Sequence, residues 1–103
     1  MDIFRICLLE AVRGDAQAQN KLGDMYRLGR AVHMDLEAAN HWYRLAADQG
    51  HVAAQYNLAL MCRFGLGVTE CKEEALKWYE LAMEQGRNTI ALNKKKASHY
   101  SFF

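Results

Sequence analysis

The chain repeats itself. Shifted by 36 positions, residues 14–49 coincide with residues 50–85 at fifteen places, where unrelated stretches would agree at about two. The coincidences are Gly14/Gly50, Ala18/Ala54, Gln19/Gln55, Leu22/Leu58, Met25/Met61, Arg27/Arg63, Gly29/Gly65, Val32/Val68, Glu37/Glu73, Ala39/Ala75, Trp42/Trp78, Tyr43/Tyr79, Leu45/Leu81, Ala46/Ala82 and Gln49/Gln85. A period of this size belongs to stacked repeats, in which one unit cannot bury its apolar face alone and its neighbours complete the core.

Inside one unit the spacing is helical. Ala18, Leu22, Met25 and Tyr26 recur at one face of a first helix, and Ala39, Trp42, Tyr43, Leu45 and Ala46 crowd one side of a second. Ala18, Gly23 and Ala39 are small where two helices must approach. Gly29 and Gly65 are expected to end the first helices in the left-handed conformation, and Gly50 and Gly86 to end the second ones. Asp35 is placed to cap the second helix of the first unit. The reading is all-α, with helices at about 2–13, 16–28, 36–49, 52–64, 71–85 and 88–98 and no strand. Residues 1–13 align with a second helix, Ile6 standing where Trp42 stands and Leu9 where Leu45 stands, and so form an N-terminal half-repeat. The chain divides into this cap, repeats at 14–49 and 50–85, and a degenerate helix with a basic, aromatic tail at 86–103. Trp42 and Trp78 are expected to be the large aromatics of the helix seams.

The 103 residues suffice for one domain, and composition narrows what it can do. A hydrophobic fraction of 51% with a net charge of +1 gives no overall attraction to nucleic acid or anionic membranes. No window approaches about 18 uncharged apolar residues, and the apolar run from Ile3 to Val12 contains Arg5 and Glu10, so neither a membrane span nor a signal peptide is expected. The expected compartment is the cytoplasm. Cys7, Cys62 and Cys71 are too few and too irregular for a disulfide framework, which favours reduced thiols, although Cys62 and Cys71 flank one loop and could pair.

The residues Ala18-Gln19, Leu22-Gly23, Tyr26, Gly29, Val32, Asp35, Ala39, Trp42-Tyr43, Ala46-Ala47 and Gln49-Gly50 resemble the SEL-one-like repeat, a cousin of the tetratricopeptide repeat. The second unit repeats the pattern as Ala54-Gln55, Leu58, Gly65-Leu66-Gly67-Val68, Ala75, Trp78-Tyr79, Ala82 and Gln85-Gly86. The resemblance implies a right-handed α-α superhelix, a solenoid of helix-loop-helix repeats whose first helices line a concave surface. It also implies a non-catalytic scaffold that binds a partner protein or peptide, with no cofactor. The sequence departs from the pattern where Ala31 replaces a loop glycine, Ala59 a glycine and Cys62 a tyrosine, and where the loop proline is missing. A third unit would need leucine near position 94, which is lysine.

With Leu22, Met25 and Tyr26 assigned to packing, Gln17, Asn20, Lys21, Asp24 and Arg27 remain on another face of the first helix, the concave one on the resemblance. Their counterparts are Ala53, Tyr56, Asn57, Leu60, Arg63 and Phe64, a mixture of amide, aromatic and guanidinium groups suited to an extended peptide or its carboxylates. A structural reading stands beside this one: Arg27 and Arg63 satisfy helix-end carbonyls and an inter-helix acid, and Tyr56 and Leu60 pack against the next hairpin.

Cys71 occupies the place of the capping aspartate, where a helix N-terminus can favour thiolate, so a redox- or thiol-regulated module using Cys71 with Cys62 is the alternative function. A helix starting at Thr69 or Glu70 would leave an ordinary thiol instead. His33, His41, His51 and His99 form no ligand pair at helical spacing and no Cys-x-x-Cys is present, so no metal site is expected. Neither a phosphate loop nor a nucleophile constellation is recognisable, and Glu73, Glu74, Glu80 and Glu84 read as a solvated face.

Residues 87–103 carry four basic and no acidic residues, against nine basic and twelve acidic in residues 1–86. Either Ile90, Leu92, Tyr100, Phe102 or Phe103 fold back to cap the array, or the tail docks an acidic partner, an anionic membrane surface or a second copy. Self-association through exposed repeat ends is a further possibility.

Overall fold

A computed structural model describes the backbone of residues 2–100 and the side chains of residues 2–86. Five helices follow one another: α1 (Ile3–Val12), α2 (Ala16–Leu28), α3 (Leu36–Asp48), α4 (Val52–Phe64) and α5 (Lys72–Tyr100). Each packs chiefly against its neighbours in sequence. The result is a slab only 20 Å thick, the depth of two helices about 10 Å across.

The local signals act twice, 36 residues apart. Gly29 and Gly65 adopt the left-handed conformation at φ 68° and 66°, and their N–H groups return to the carbonyls of Met25 and Met61. The loops then close by backbone bonds from Asp35 N–H to Tyr26 O, 2.9 Å, and from Cys71 N–H to Cys62 O, 2.8 Å. Asp2, Asp15 and Asp35 cap α1, α2 and α3 through their carboxylates. In the second unit the caps are unlike aspartate. His51 Nδ1 accepts the N–H of Ala54 at 3.2 Å, and Cys71 Sγ accepts that of Glu74 at 3.4 Å.

Two apolar clusters run through the slab. Cys7, Ala11, Ala18, Leu22 and Met25 form one, and Ala39, Tyr43, Ala46, Ala47, Ala54, Leu58, Met61, Cys62 and Ala75 the other. Tyr26 packs against both and meets Phe4 edge to face at 5.9 Å. So many alanines let the helices approach closely, which leaves little room for polar groups. Gln19 and Gln55 are nevertheless buried, and their Nε2 atoms donate to the carbonyls of Ala11 and Ala47 at 3.0 and 3.2 Å. These last-turn carbonyls also accept the N–H groups of Gly14 and Gly50, so each takes the glutamine on its second lone pair, and the repeated glutamine stitches each hairpin to the one before.

Three expectations are corrected. Leu45 and Leu81 are each 38% exposed and lie outside the seam, because a residue six places after Ala39 falls on the far side of the helix. Trp42 and Trp78 pack against the two clusters but stay partly exposed, and among the described residues Tyr43 is the aromatic with no exposure at all. Finally, Gly86 does not end the second helix of its unit: α5 runs through it to Tyr100. A helix turns back where the next segment can bury itself on it. Leu58 rewards the turn at Gly50, whereas its counterpart is Lys94, and a glycine inside a helix costs only about 1 kcal/mol. The folding-back of Ile90, Leu92, Tyr100, Phe102 and Phe103, and the tail's docking, lie outside the described side chains.

Candidate functional site

The first helices of the two units, α2 and α4, are joined across their shared face by a hydrogen bond from Asn57 Nδ2 to Asn20 Oδ1 at 3.1 Å. Around this bond the sequence-predicted residues gather on the two helices, and they differ in availability. Gln17, Lys21, Ala53, Tyr56, Leu60, Arg63 and Phe64 are exposed, whereas Asn20, Asp24, Arg27 and Asn57 are half-buried. Tyr56 and Leu60 each show 41% of their surface and Phe64 59%, an apolar cluster set among amides and cations.

Arg27 and Arg63 coincide in sequence and diverge in surroundings. Arg27 Nε donates to the Tyr43 hydroxyl at 2.9 Å, that hydroxyl donates to Asp24 Oδ1 at 2.5 Å, and a second guanidinium nitrogen of Arg27 lies 3.4 Å from the same carboxylate oxygen. The bond to Tyr43 leads the effects that hold the guanidinium above its ordinary pKa. Burial, reinforced by Asp24, pushes the Tyr43 phenol up. The helix spacing makes Asp24 and Arg27 legible as neighbours, but periodicity shows Tyr43 only as core. Its buried hydroxyl meets the half-buried Asp24 and Arg27 while its ring fills the seam against Gly23, and that double use leaves no trace in periodicity.

The second unit has no such closed set. Leu60 stands where Asp24 stands, and Arg63 lies over the ring of its neighbour Phe64 at 5.2 Å. Tyr79, the counterpart of Tyr43, meets Tyr56 edge to face at 5.5 Å. A groove of about 320 Å³ opens here between α4 and α5, lined by Arg63, Lys72, Ala75, Leu76 and Tyr79. A second opening of about 390 Å³ beside α1 is lined by Ile3, Lys21, Asp24, Met25, Arg30 and Ala31.

On the second helices, Arg44 of α3 pairs with Glu74 of α5 at 2.8 Å, so Glu74 belongs to an inter-repeat tie and not to a merely solvated face. The same bond holds its carboxyl below the usual range. Of the thiols, Cys7 and Cys62 are buried and Cys71 is half-buried, all three unpaired. Burial raises the first two above the ordinary thiol range. Helix α5 starts at Lys72, so Cys71 does sit at a helix N-terminus. Among the described residues no cluster of histidine, cysteine and acid could hold a metal, and no helix is long and apolar enough to cross a membrane.

The protein-family description of the Sel1 repeat matches residues 16–51 and again residues 52–86. The chain belongs to the Sel1 repeat family. Repeats of this family generally mediate protein–protein interaction and are typically not catalytic. Solved Sel1 arrays confirm the solenoid fold of this Sel1 protein. A Sel1 repeat protein from Oxalobacter formigenes superimposes with a TM-score of 0.79 at 36% identity, over 81% of this chain and 24% of that one. The antigen c5321 of uropathogenic Escherichia coli gives 0.78 and 35%, over 84% and 18%. Cysteine rich protein B of Helicobacter pylori gives 0.78 and 25%, over 82% and 63%. The chain thus spans less than two thirds of each of these proteins. None of the curated proteins compared matches it.

Proposed function

We propose that this Sel1 protein is a non-catalytic scaffold that binds a partner protein or peptide on the face shared by α2 and α4. The supporting observation is the exposed trio Tyr56, Leu60 and Phe64 beside Arg63, on helices whose other apolar residues are largely buried. Apolar side chains grouped on a surface and rimmed by polar ones mark interaction sites. Gln17, Asn20, Lys21, Asp24, Arg27 and Asn57 supply the polar rim, with Asp24 and Arg27 held rigid by Tyr43. Rigid polar groups lose little freedom when a partner arrives.

A photo-crosslinking amino acid placed at Leu60 should capture partner protein in far higher yield than one placed at His41, on the opposite side of the hairpins. Equal yields at the two positions would move the binding surface to the second helices. The thiol-regulated alternative draws support from the capping role of Cys71 and its backbone bond to Cys62, and alkylation rates of the three thiols test it separately.

A further inference from the structure

The two repeats carry the same arginine and tyrosine, and only the first also carries the acid they hold. In that unit Asp24 places a carboxylate oxygen against both the Tyr43 hydroxyl and the Arg27 guanidinium. In the second unit two substitutions undo the arrangement. Leu60 replaces the acid. Ala59 replaces Gly23, and a Cβ at the position of Gly23 would lie 2.6 Å from the tyrosine ring, so Tyr79 cannot take the seat that Tyr43 takes. It turns to Tyr56 instead and remains half-exposed. The ring's departure leaves the groove between α4 and α5, and of its five lining residues two, Arg63 and Lys72, are cations and none is an acid.

No acid among the described residues is in direct contact with these cations. Arg63 has the Phe64 ring as its contact, which leaves its N–H donors uncommitted, and no ion pair of Arg63 or Lys72 occurs among the described residues. Of the acids next to Lys72 in sequence, Glu70 and Glu73 are exposed and form no ion pair with Arg63 or Lys72, and Glu74 is held by Arg44. Glu74 also lines a different groove, with Lys77, Trp78 and Leu81. Beside the cations stands Leu76, 57% exposed, where the equivalent Asn40 of the first unit is buried.

We propose that the groove of Arg63, Lys72, Leu76 and Tyr79 is a carboxylate-binding site for an acidic segment of a partner. Arg63 and Lys72 take an aspartate or glutamate side chain, and Leu76 and Tyr79 take an apolar residue next to it. The occupant is inferred from the chain's own chemistry: where the repeat supplies an internal ligand to this arginine and tyrosine, the ligand is the side-chain carboxylate of Asp24. A guanidinium fork and an ammonium are matched to that group by charge and geometry. The site deepens the scaffold reading and rests on it, since it lies at the end of the same α2 and α4 face.

The test is a titration of the full chain, followed by the Arg63 side-chain N–H signal in NMR, with three peptide probes. They are acetyl-Leu-Asp-Leu-amide, its asparagine counterpart, and acetyl-Leu-Leu with a free terminal carboxylate. The aspartate peptide should shift the Arg63 signal to saturation and leave that of Arg27 in place, and the asparagine peptide should shift neither. Arg63→Gln and Lys72→Gln should each weaken binding about tenfold. Leu60→Asp restores the internal acid at an exposed position and should suppress binding while the thermal melt stays cooperative. Equal response to the aspartate and asparagine peptides would overturn the site, as would undiminished binding by a folded Leu60→Asp chain. Tighter binding of the free-terminus peptide would overturn the side-chain assignment in favour of a chain end. If crosslinking at Leu60 still captures partner protein while Arg63 ignores the aspartate peptide, the binding face stands and the carboxylate site falls. The converse result separates them the other way.

Discussion

The ring of Tyr43 fills the space that any side chain at position 23 would need: two ring carbons lie 2.6 Å from where a Cβ on Gly23 would be. Both partners of the contact are buried, and the hydroxyl at the far end of the ring is fixed by Asp24 and Arg27, so the ring has no easy retreat. Gly23→Ala should therefore cost about 1–3 kcal/mol through overpacking. Tyr43→Ala should cost about 3–5 kcal/mol and exceed Trp42→Ala or Trp78→Ala, because only Tyr43 is enclosed. Denaturant melts of the four variants check the order, and a larger loss at either tryptophan would contradict it.

The left-handed loop positions predict opposite signs for similar substitutions. Ala31 sits at φ 65°, a conformation that costs a non-glycine residue about 1–2 kcal/mol; Ala31→Gly should accordingly stabilise by about 1 kcal/mol. Its counterpart Gly67, at φ 72°, faces the backbone of Leu36 and Glu37 so closely that a Cβ would collide with the Leu36 carbonyl. Gly67→Ala should destabilise clearly. Gly29→Val and Gly65→Val should do the same, since a β-branched residue resists positive φ.

Gly86 provides the contrast. It lies inside α5, and a Cβ there would meet nothing within 4 Å. Gly86→Ala should stabilise the chain by up to about 1 kcal/mol through helix propensity. Thermal melts decide, and destabilisation would mean that the helix ends at this glycine after all.

Helix capping is weaker in the second unit, where His51 and Cys71 do what Asp15 and Asp35 do in the first. A thiol is a poor acceptor and a neutral imidazole has a single acceptor nitrogen. His51→Asp and Cys71→Asp should each add about 0.5–1 kcal/mol, the second somewhat less because Glu73 and Glu74 already stand in the first turn of α5. Since the two caps serve different helices, a double variant should show near-additive gains.

The 36-residue identity made the hairpins and the terminators Gly29 and Gly65 legible, and residue type made the Asp35 cap legible, since each depends on interactions within a few residues of chain. What escaped depended on contacts between helices. Arg44 and Glu74 occupy positions held by Leu8 and Ala38 one period earlier, so the repeat could not announce their ion pair. Gly86 copies Gly50 in sequence, but whether the chain turns there depends on the residues after it, and the sequence has a lysine at position 94 where the second unit has the buried Leu58. At the candidate site, the residues of α2 and α4 were found by elimination. The inequality of Arg27 and Arg63 needed the Tyr43 ring, whose place is set by the missing Cβ of Gly23 and denied to Tyr79 by the Cβ of Ala59.

Stability should fall at both ends of the pH scale for different reasons. Cys7 and Cys62 are buried as neutral thiols, and burial raises both above the ordinary value of 9.0. The unfolded chain therefore loses these protons first as pH rises, so stability is complete below about pH 8 and declines through the thiol range and beyond. Tyr43, also raised by burial, extends the decline above pH 10. The acid limb has the opposite sign. Glu74 is held below the ordinary 4.5 by Arg44; its contribution is present above that range and is lost as pH falls through the depressed value. With both side chains of the pair more than a third exposed, the loss should be no more than about 1 kcal/mol. Glu74→Gln should lower stability at neutral pH and flatten the acid limb. In the same pH series, iodoacetamide should alkylate Cys71 first, and Cys7 and Cys62 only as fast as the chain unfolds. A Cys71 rate like that of free cysteine would remove the thiol-regulated reading. A markedly faster rate at neutral pH would show that the helix N-terminus activates the thiol despite its two acidic neighbours.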